Sequence, residues 1–125
     1  MEQHDIIIIL GSNNKQGDMI SAAQTRLAQL LDDVHFSSCM WTVPVDTDST
    51  EQYLNCAAMG TTNLPQDELQ IRLKDIEKEL GSTSERRSEG LVDIDIDLLR
   101  YGTEKLHEKD WERDYVRELL DELTS

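Results

Sequence analysis

Val92-Asp93-Ile94-Asp95-Ile96-Asp97-Leu98-Leu99 alternates apolar and acidic residues with a period of two, the pattern of a strand with one face buried. Read as one strand, it turns Ile94, Ile96 and Leu98 to one face and Asp93, Asp95 and Asp97 to the other. Three carboxylates on one face repel one another unless a cation sits among them. Mg²⁺ takes oxygen ligands and often binds through one or two carboxylates plus substrate phosphates. The stretch therefore reads as a metal site that serves a phosphorylated substrate. It reads equally as a solvated edge strand whose charges discourage pairing with another sheet.

Outward from this strand the chain orders itself as β-α-β-β-α-β-α. Asp5 to Leu10 holds the run Ile6-Ile7-Ile8-Ile9-Leu10, a central strand buried on both faces. Gly11 to Gly17 is a loop that lacks the Lys-Ser/Thr ending of a nucleotide-binding P-loop. Asp18 reads as the N-cap of a helix with Ile20, Ala23, Leu27, Leu30 and Leu31 on one face. Val34 to Thr42 and Tyr53 to Thr62 read as strands, joined by a polar, mobile loop over 43–52. Pro65 opens a second helix with the stripe Leu69, Leu73, Ile76 and Leu80, stopped at Gly81. The polar stretch from Ser82 to Leu91 reads as flexible. Asp110 reads as the cap of a last helix that turns Trp111, Tyr115, Leu119 and Leu120 or Leu123 inward. The first six elements match the α+β, ferredoxin-like βαββαβ arrangement. That fold predicts a four-stranded antiparallel sheet with two helices on one face, leaving the C-terminal helix and the long loops for the other.

The 125 residues predict a single domain over 1–125. A formal charge of −14 argues against nucleic acid. No apolar run is long enough for a membrane span, and no secretory leader is recognisable. Cys39 and Cys56 stand apart from any metal-ligand spacing and read as buried, reduced thiols, which fits a cytoplasmic location. Ten of the twelve Lys and Arg residues lie at or after Arg72, in the half that carries the three aspartates. A polyphosphate site needs such local cations; they serve equally as partners of nearby acids on helix surfaces.

Several stretches then fall into register with one family. Leu10-Gly11-Ser12-Asn13, Thr42-Val43-Pro44, Tyr53-Leu54-Asn55, Leu64 to Gly81 with Ile76-Glu77, and Gly90 through Asp93-Ile94-Asp95-Ile96-Asp97 to Gly102 appear in order and with sensible spacing. Over about residues 5 to 102 the chain resembles 6-hydroxymethyl-7,8-dihydropterin pyrophosphokinase, a folate-pathway enzyme that moves a diphosphoryl group from ATP to a pterin alcohol. The resemblance implies that Asp95 and Asp97 hold two Mg²⁺ ions that bridge the ATP phosphates. It implies that Asn55 reads the pterin edge, that Tyr53 and Tyr115 pack on the ring, and that Thr42, Pro44 and Val45 line the same slot. Glu77 falls at a nucleotide-contacting position and Lys74 at a neighbouring one. His107 and Arg113 align near the triphosphate site. Its partners are then ATP and a pterin, with a monomer slightly favoured.

The departures lie among the cations. Where the family carries arginines, this chain has Ser82, Ser84 and Val92, and Leu91 replaces the proline of a Gly-Pro-Arg turn. Arg86 and Arg87 remain in that loop as candidate ATP contacts. Asp93 replaces a small hydroxyl residue and reads as an extra surface charge. Met40 stands at an aromatic position, with Trp41 beside it. The region after Gly102 is shorter than the family's. Single electrostatic donors to a transition state are worth on the order of 10²–10³ in turnover, so lost arginines predict a weakened enzyme. The alternatives are a metal-nucleotide or pterin-binding module on the same fold, or a plain interaction domain.

Overall fold

A computed structural model describes residues 2–43 and 52–124. The expected loop contacts at Pro44 and Val45 lie outside the described residues. The elements run β1 (His4–Ser12), α1 (Gln16–Leu30), β2 (Asp32–Phe36), β3 (Met40–Thr42), β4 (Tyr53–Thr62), α2 (Gln66–Glu79), α3 (Ser84–Ser88), β5 (Asp95–Tyr101), β6 (Glu104–Lys105), a 3₁₀ turn (Asp110–Glu112) and α4 (Asp114–Thr124).

The sheet order is β2-β4-β1-β5-β6, with β3 continuing beside β4, and its pairings are antiparallel. This is the ferredoxin-like order expected from the element string. The second strand is split, however. Ser37 breaks it, because its Oγ accepts the Ala57 N–H at 2.8 Å and so takes the place of a main-chain ladder partner. β6 adds a short hairpin to the β5 edge.

Alternation along β1 builds two cores. Ile6, Ile8 and Leu10 pack with Ile20, Ala23 and Leu27 of α1 and Leu69, Leu73 and Ile76 of α2. Ile7 and Ile9 pack on the other face with Ala57, Leu99, Val116 and Leu119. Leu99 reaches that second face by the same alternation that places Asp95 and Asp97 there. Ile8 pairs with Leu98 while Ile7 pairs with Arg100, so Leu99 is the extra residue, and the period of two slips after it, which carries Tyr101 to the face of the first core. Leu119 of α4 is 1% exposed. Leu119→Ala should therefore cost about 2–5 kcal/mol of stability, the range for truncating a buried leucine, read from urea unfolding.

Four local expectations need correction. Asp18 is not the cap of α1; Lys15, at φ 51°, precedes the helix and Asp18 sits within its first turn. Asp110 does not open α4. It starts the 3₁₀ turn, and the chain extends at Arg113 before α4 begins at Asp114. The stretch 82–91 holds α3, whose N-cap Thr83 accepts the Arg86 N–H at 3.2 Å. Cys39 is exposed and only Cys56 is buried; both are free thiols. Among the described residues, no helix is long and apolar enough to cross a membrane.

Candidate active site

The register of three strands builds the site. Gly11 pairs with Asn55 on one side and with Asp95 on the other. Met40 pairs with Asn55 from beyond. The row Met40-Asn55-Gly11-Asp95 thus crosses the sheet on the face that α4 covers only in part. Gly11 keeps this row open: a Cβ there would lie 3.3 Å from Asn55 Oδ1. Around the row is a cleft of about 860 Å³, lined also by Thr42, Tyr53, Asp97, Arg113 and Tyr115. Asn55 is 4% exposed. Its amide nitrogen donates to Thr42 Oγ1 at 2.7 Å and to the Met40 carbonyl at 3.3 Å, which leaves Oδ1, beside Gly11, as an acceptor for a ligand. Burial pushes the Tyr115 hydroxyl above its ordinary range, so it stays a neutral donor.

Asp95 and Asp97 stand two apart on β5. Burial, the charge of Asp95 and a hydrogen bond with it push the Asp97 carboxyl up to about 8; Asp110 and Glu77 add to the effect. No cation pairs with Asp97 among the described residues. Two carboxylates with one held out of its ordinary range are a donor set that a hard divalent cation relieves. No cluster of three or more His, Cys, Asp or Glu side chains is arranged for a metal among the described residues. The pair fits Mg²⁺, which keeps waters and phosphate oxygens as its other ligands.

Asp97 also borders a second cleft of about 610 Å³ between α2 and the β5 edge, lined by Ile71, Lys74, Lys78, Leu98 and His107 among others. Glu77 lines neither cleft. It is 3% exposed, and its Oε2 accepts the Ile96 N–H at 2.7 Å, closing a backbone donor on the edge of β5. Its Oε1 meets Lys74 at 3.2 Å and Arg87 at 3.6 Å. Burial pushes its carboxyl above the ordinary range, against the pull of the Ile96 amide.

Asp93 is not on the cleft face with Asp95 and Asp97. It precedes β5 in a bend, is 5% exposed, and is gripped by Arg86 through Nε at 2.6 Å and Nη2 at 2.9 Å. Hydrogen bonding to that guanidinium holds its carboxyl below the usual range. Asn14 Nδ2 donates to it as well, at 2.9 Å. Asn13 donates to the Gly90 carbonyl at 2.9 Å and accepts the Val92 N–H at 2.8 Å. The loop after β1 thereby ties down 90–93. These two asparagines and Asp110, which pairs with Arg113 at 3.2 Å, were not singled out as site residues by sequence reasoning. Their only local signal is the Ser-Asn-Asn run after the first strand.

The chain is 34% identical over 124 residues to a folate synthesis bifunctional protein of Arabidopsis thaliana, a match covering 90% of this chain and 25% of that protein. It is 32% identical to mitochondrial folate synthesis bifunctional proteins of Arabidopsis thaliana and Pisum sativum, over 91% and 92% of this chain and 22% and 24% of theirs. The chain thus spans about a quarter of the length of these curated relatives. The family model for 7,8-dihydro-6-hydroxymethylpterin-pyrophosphokinase matches residues 7–125, and with the ferredoxin-like order and the cleft around Asn55, Asp95 and Asp97 already in view, the chain belongs to that family.

Proposed function

We propose that this protein transfers the diphosphoryl group of ATP to the hydroxymethyl group of 6-hydroxymethyl-7,8-dihydropterin, releasing AMP. The observation that carries this reading is the position of Asp97, which borders both clefts. A carboxylate shared by two adjoining clefts suits a metal that lies between a flat acceptor and a nucleotide.

The larger cleft would take the pterin. Asn55 Oδ1 accepts from the ring edge, while Tyr53 and Tyr115 flank the ring. The second cleft would take the nucleotide, with Lys74 and His107 near the phosphates and Ile71 and Leu98 offering apolar contact. Ile71 is 61% exposed, which suits a surface that a nucleobase covers. Two Mg²⁺ ions held by Asp95 and Asp97 would supply charge neutralisation on the phosphate oxygens. The substrate alcohol oxygen bonds to the β-phosphorus, the bond from that phosphorus to the α,β-bridging oxygen breaks, AMP leaves, and the alcohol proton passes to water. No protein nucleophile is required; the side chains position and neutralise. Arg113, on the rim of the larger cleft beside Asp110, adds positive charge there.

One observation favours a second reading. Arg86 is committed to Asp93, and the family's other loop arginines are Ser82, Ser84 and Val92 here. A chain so depleted could bind metal-nucleotide or pterin without turnover. Incubation with Mg²⁺, ATP and the pterin decides between them. AMP formation that requires the pterin supports the transferase; binding of Mg-ATP or pterin by calorimetry with no AMP supports the binding module and overturns catalysis.

A further inference from the structure

Cys39, just before β3, faces Cys56 of β4. Met40 pairs with Asn55, so the next step along the ladder sets Cys39 opposite Cys56. Beyond that step the Ser37 N–H donates to the Ala57 carbonyl at 2.9 Å, which keeps the chain beside β4. Ser38 is fastened as well: its N–H and its Oγ each donate to the Glu122 carboxylate of α4 at 2.8 Å. Met40 and Asn55 line the larger cleft, so alternation turns Cys39 and Cys56 to the opposite face, where Cys56 packs in the first core. Directly opposed residues of an antiparallel pair have Cα atoms about 4.5–5.5 Å apart, inside the roughly 4.4–6.8 Å that a disulfide spans. The two thiols differ in access: Cys39 is exposed and Cys56 is 0% exposed. Cys56 Sγ donates to the Ser37 carbonyl at 3.4 Å and accepts from Gln24 Nε2 at 3.3 Å. Burial pushes the Cys56 thiol up, and the neighbouring Cys39 side chain adds to the rise.

From this pairing we propose that Cys39 and Cys56 form a redox modification site, which a peroxide converts to a disulfide that weakens pterin binding on the other face of the same two strands. The exposed Cys39 meets the oxidant. Its thiolate attacks one oxygen of hydrogen peroxide; the S–O bond forms, the O–O bond breaks, and the other oxygen leaves as hydroxide, which the thiol's proton turns to water. Cys56 resolves the sulfenic acid. Its sulfur bonds to the Cys39 sulfur, the S–O bond breaks, and that oxygen leaves as water with the Cys56 proton. Two thiols lose two electrons and the peroxide gains them. The bridge draws Cys56 Sγ away from Gln24 and the Ser37 carbonyl and toward Cys39. The residues next in the chain are Asn55 and Met40, where Asn55 Nδ2 donates to the Met40 carbonyl at 3.3 Å. Any shift of the two strands therefore moves Asn55 Oδ1, the acceptor beside Gly11. The bridge stands independently of the diphosphotransferase reading above; its effect on the pterin rests on that reading.

The test treats the full chain with hydrogen peroxide, removes the oxidant, and reads intact mass, a peptide map and pterin affinity. Affinity is measured by calorimetry with 6-hydroxymethyl-7,8-dihydropterin, Mg²⁺ and the α,β-methylene analogue of ATP. Wild type should lose both free thiols and the mass of two hydrogens, and yield one peptide that joins Cys39 to Cys56 within a single chain. Its Kd for the pterin should rise by about tenfold, the worth of one hydrogen bond. Dithiothreitol should restore the Kd, which an oxidised Met40 would not allow. Cys39→Ser should keep Cys56 as a thiol under the same treatment and show no change in Kd. Cys56→Ala should stop at a sulfenic acid on Cys39, trapped by dimedone; should that variant fail to fold, the joined peptide and Cys39→Ser still decide. A wild type that keeps Cys56 as a thiol, or that links two chains through Cys39, overturns the site. An unchanged Kd in the bridged protein overturns its coupling to the cleft. A reversible shift in Kd without any pterin-dependent AMP supports the site and refutes only the transferase reading. A reduced wild type that binds no pterin refutes that reading and the coupling together, while the mass alone decides the bridge.

Discussion

Asp97→Asn is expected to abolish pterin-dependent AMP formation, by about 10²–10³ or more, the usual weight of one electrostatic group at such a centre, while making the metal-free protein more stable at alkaline pH. The two effects share one cause. The Asp97 carboxyl is pushed up to about 8, chiefly by burial and by Asp95. Its unfolded value is near the ordinary 3.8. Between these values the folded chain holds a proton that the unfolded chain has released. Stability contributed at this site therefore falls as pH rises from about 4 to about 8 and levels off beyond. Asparagine carries no such penalty. In EDTA, the stability of Asp97→Asn relative to wild type should grow across that window. Mg²⁺ should then stabilise wild type more than the variant at pH 8. Thermal unfolding at pH 5 and pH 8.5, with and without Mg²⁺, reads both. A variant that tracks wild type at every pH would mean that Asp97 is not held out of its ordinary range.

Gly11→Val should separate the two clefts. Gly11 lies in the row between Asn55 and Asp95, and even a Cβ would stand 3.3 Å from Asn55 Oδ1. A branched side chain would project into the larger cleft over the acceptor that reads the ring. Displacing a substrate by an ångström costs about 10²-fold in rate, and a loss of that order in kcat/KM for the pterin is expected. Mg-ATP affinity should hold, because Gly11 lines the larger cleft and not the second. The fold should hold as well. Valine suits a strand, and apart from Asn55 Oδ1 no atom lies within 4 Å of the added Cβ. Equal losses for both substrates would place the nucleotide in the larger cleft and overturn the division of the site.

Much of this molecule was legible in one dimension because local periodicity encodes which face a residue takes. The isoleucine run of Ile6 to Ile9 marked a strand buried on both sides, and β1 is the central strand. Leu69, Leu73 and Ile76 marked the buried stripe of α2. The alternation at Ile94 to Leu98 placed Asp95 and Asp97 on one face, and both line the larger cleft. Thr42, Tyr53, Asn55, Arg113 and Tyr115 join them there, while Lys74 and His107 stand at the second cleft.

What periodicity could not reach was any relation between distant segments. Asp93 obeys the same alternation as Asp95, yet it lies before the strand begins, where Arg86 and Asn14 can surround it. Glu77 sits on the buried stripe because an edge amide of β5 needs an acceptor. Tyr101 changes face because the ladder with β1 slips by one residue at Leu99. The segment 82–91 is polar enough to pass for a loop, but Asn13, about 80 positions away in the chain, holds its end down through Gly90 and Val92. The sequence by itself determined the element order, the faces and the acidic pair, all set by interactions within a few residues. The tertiary structure alone decided the Asn55-Gly11-Asp95 row, the two clefts that share Asp97 and the separate fates of Arg86 and Arg87. Each of these depends on register and on partners that only chain closure brings within hydrogen-bonding distance.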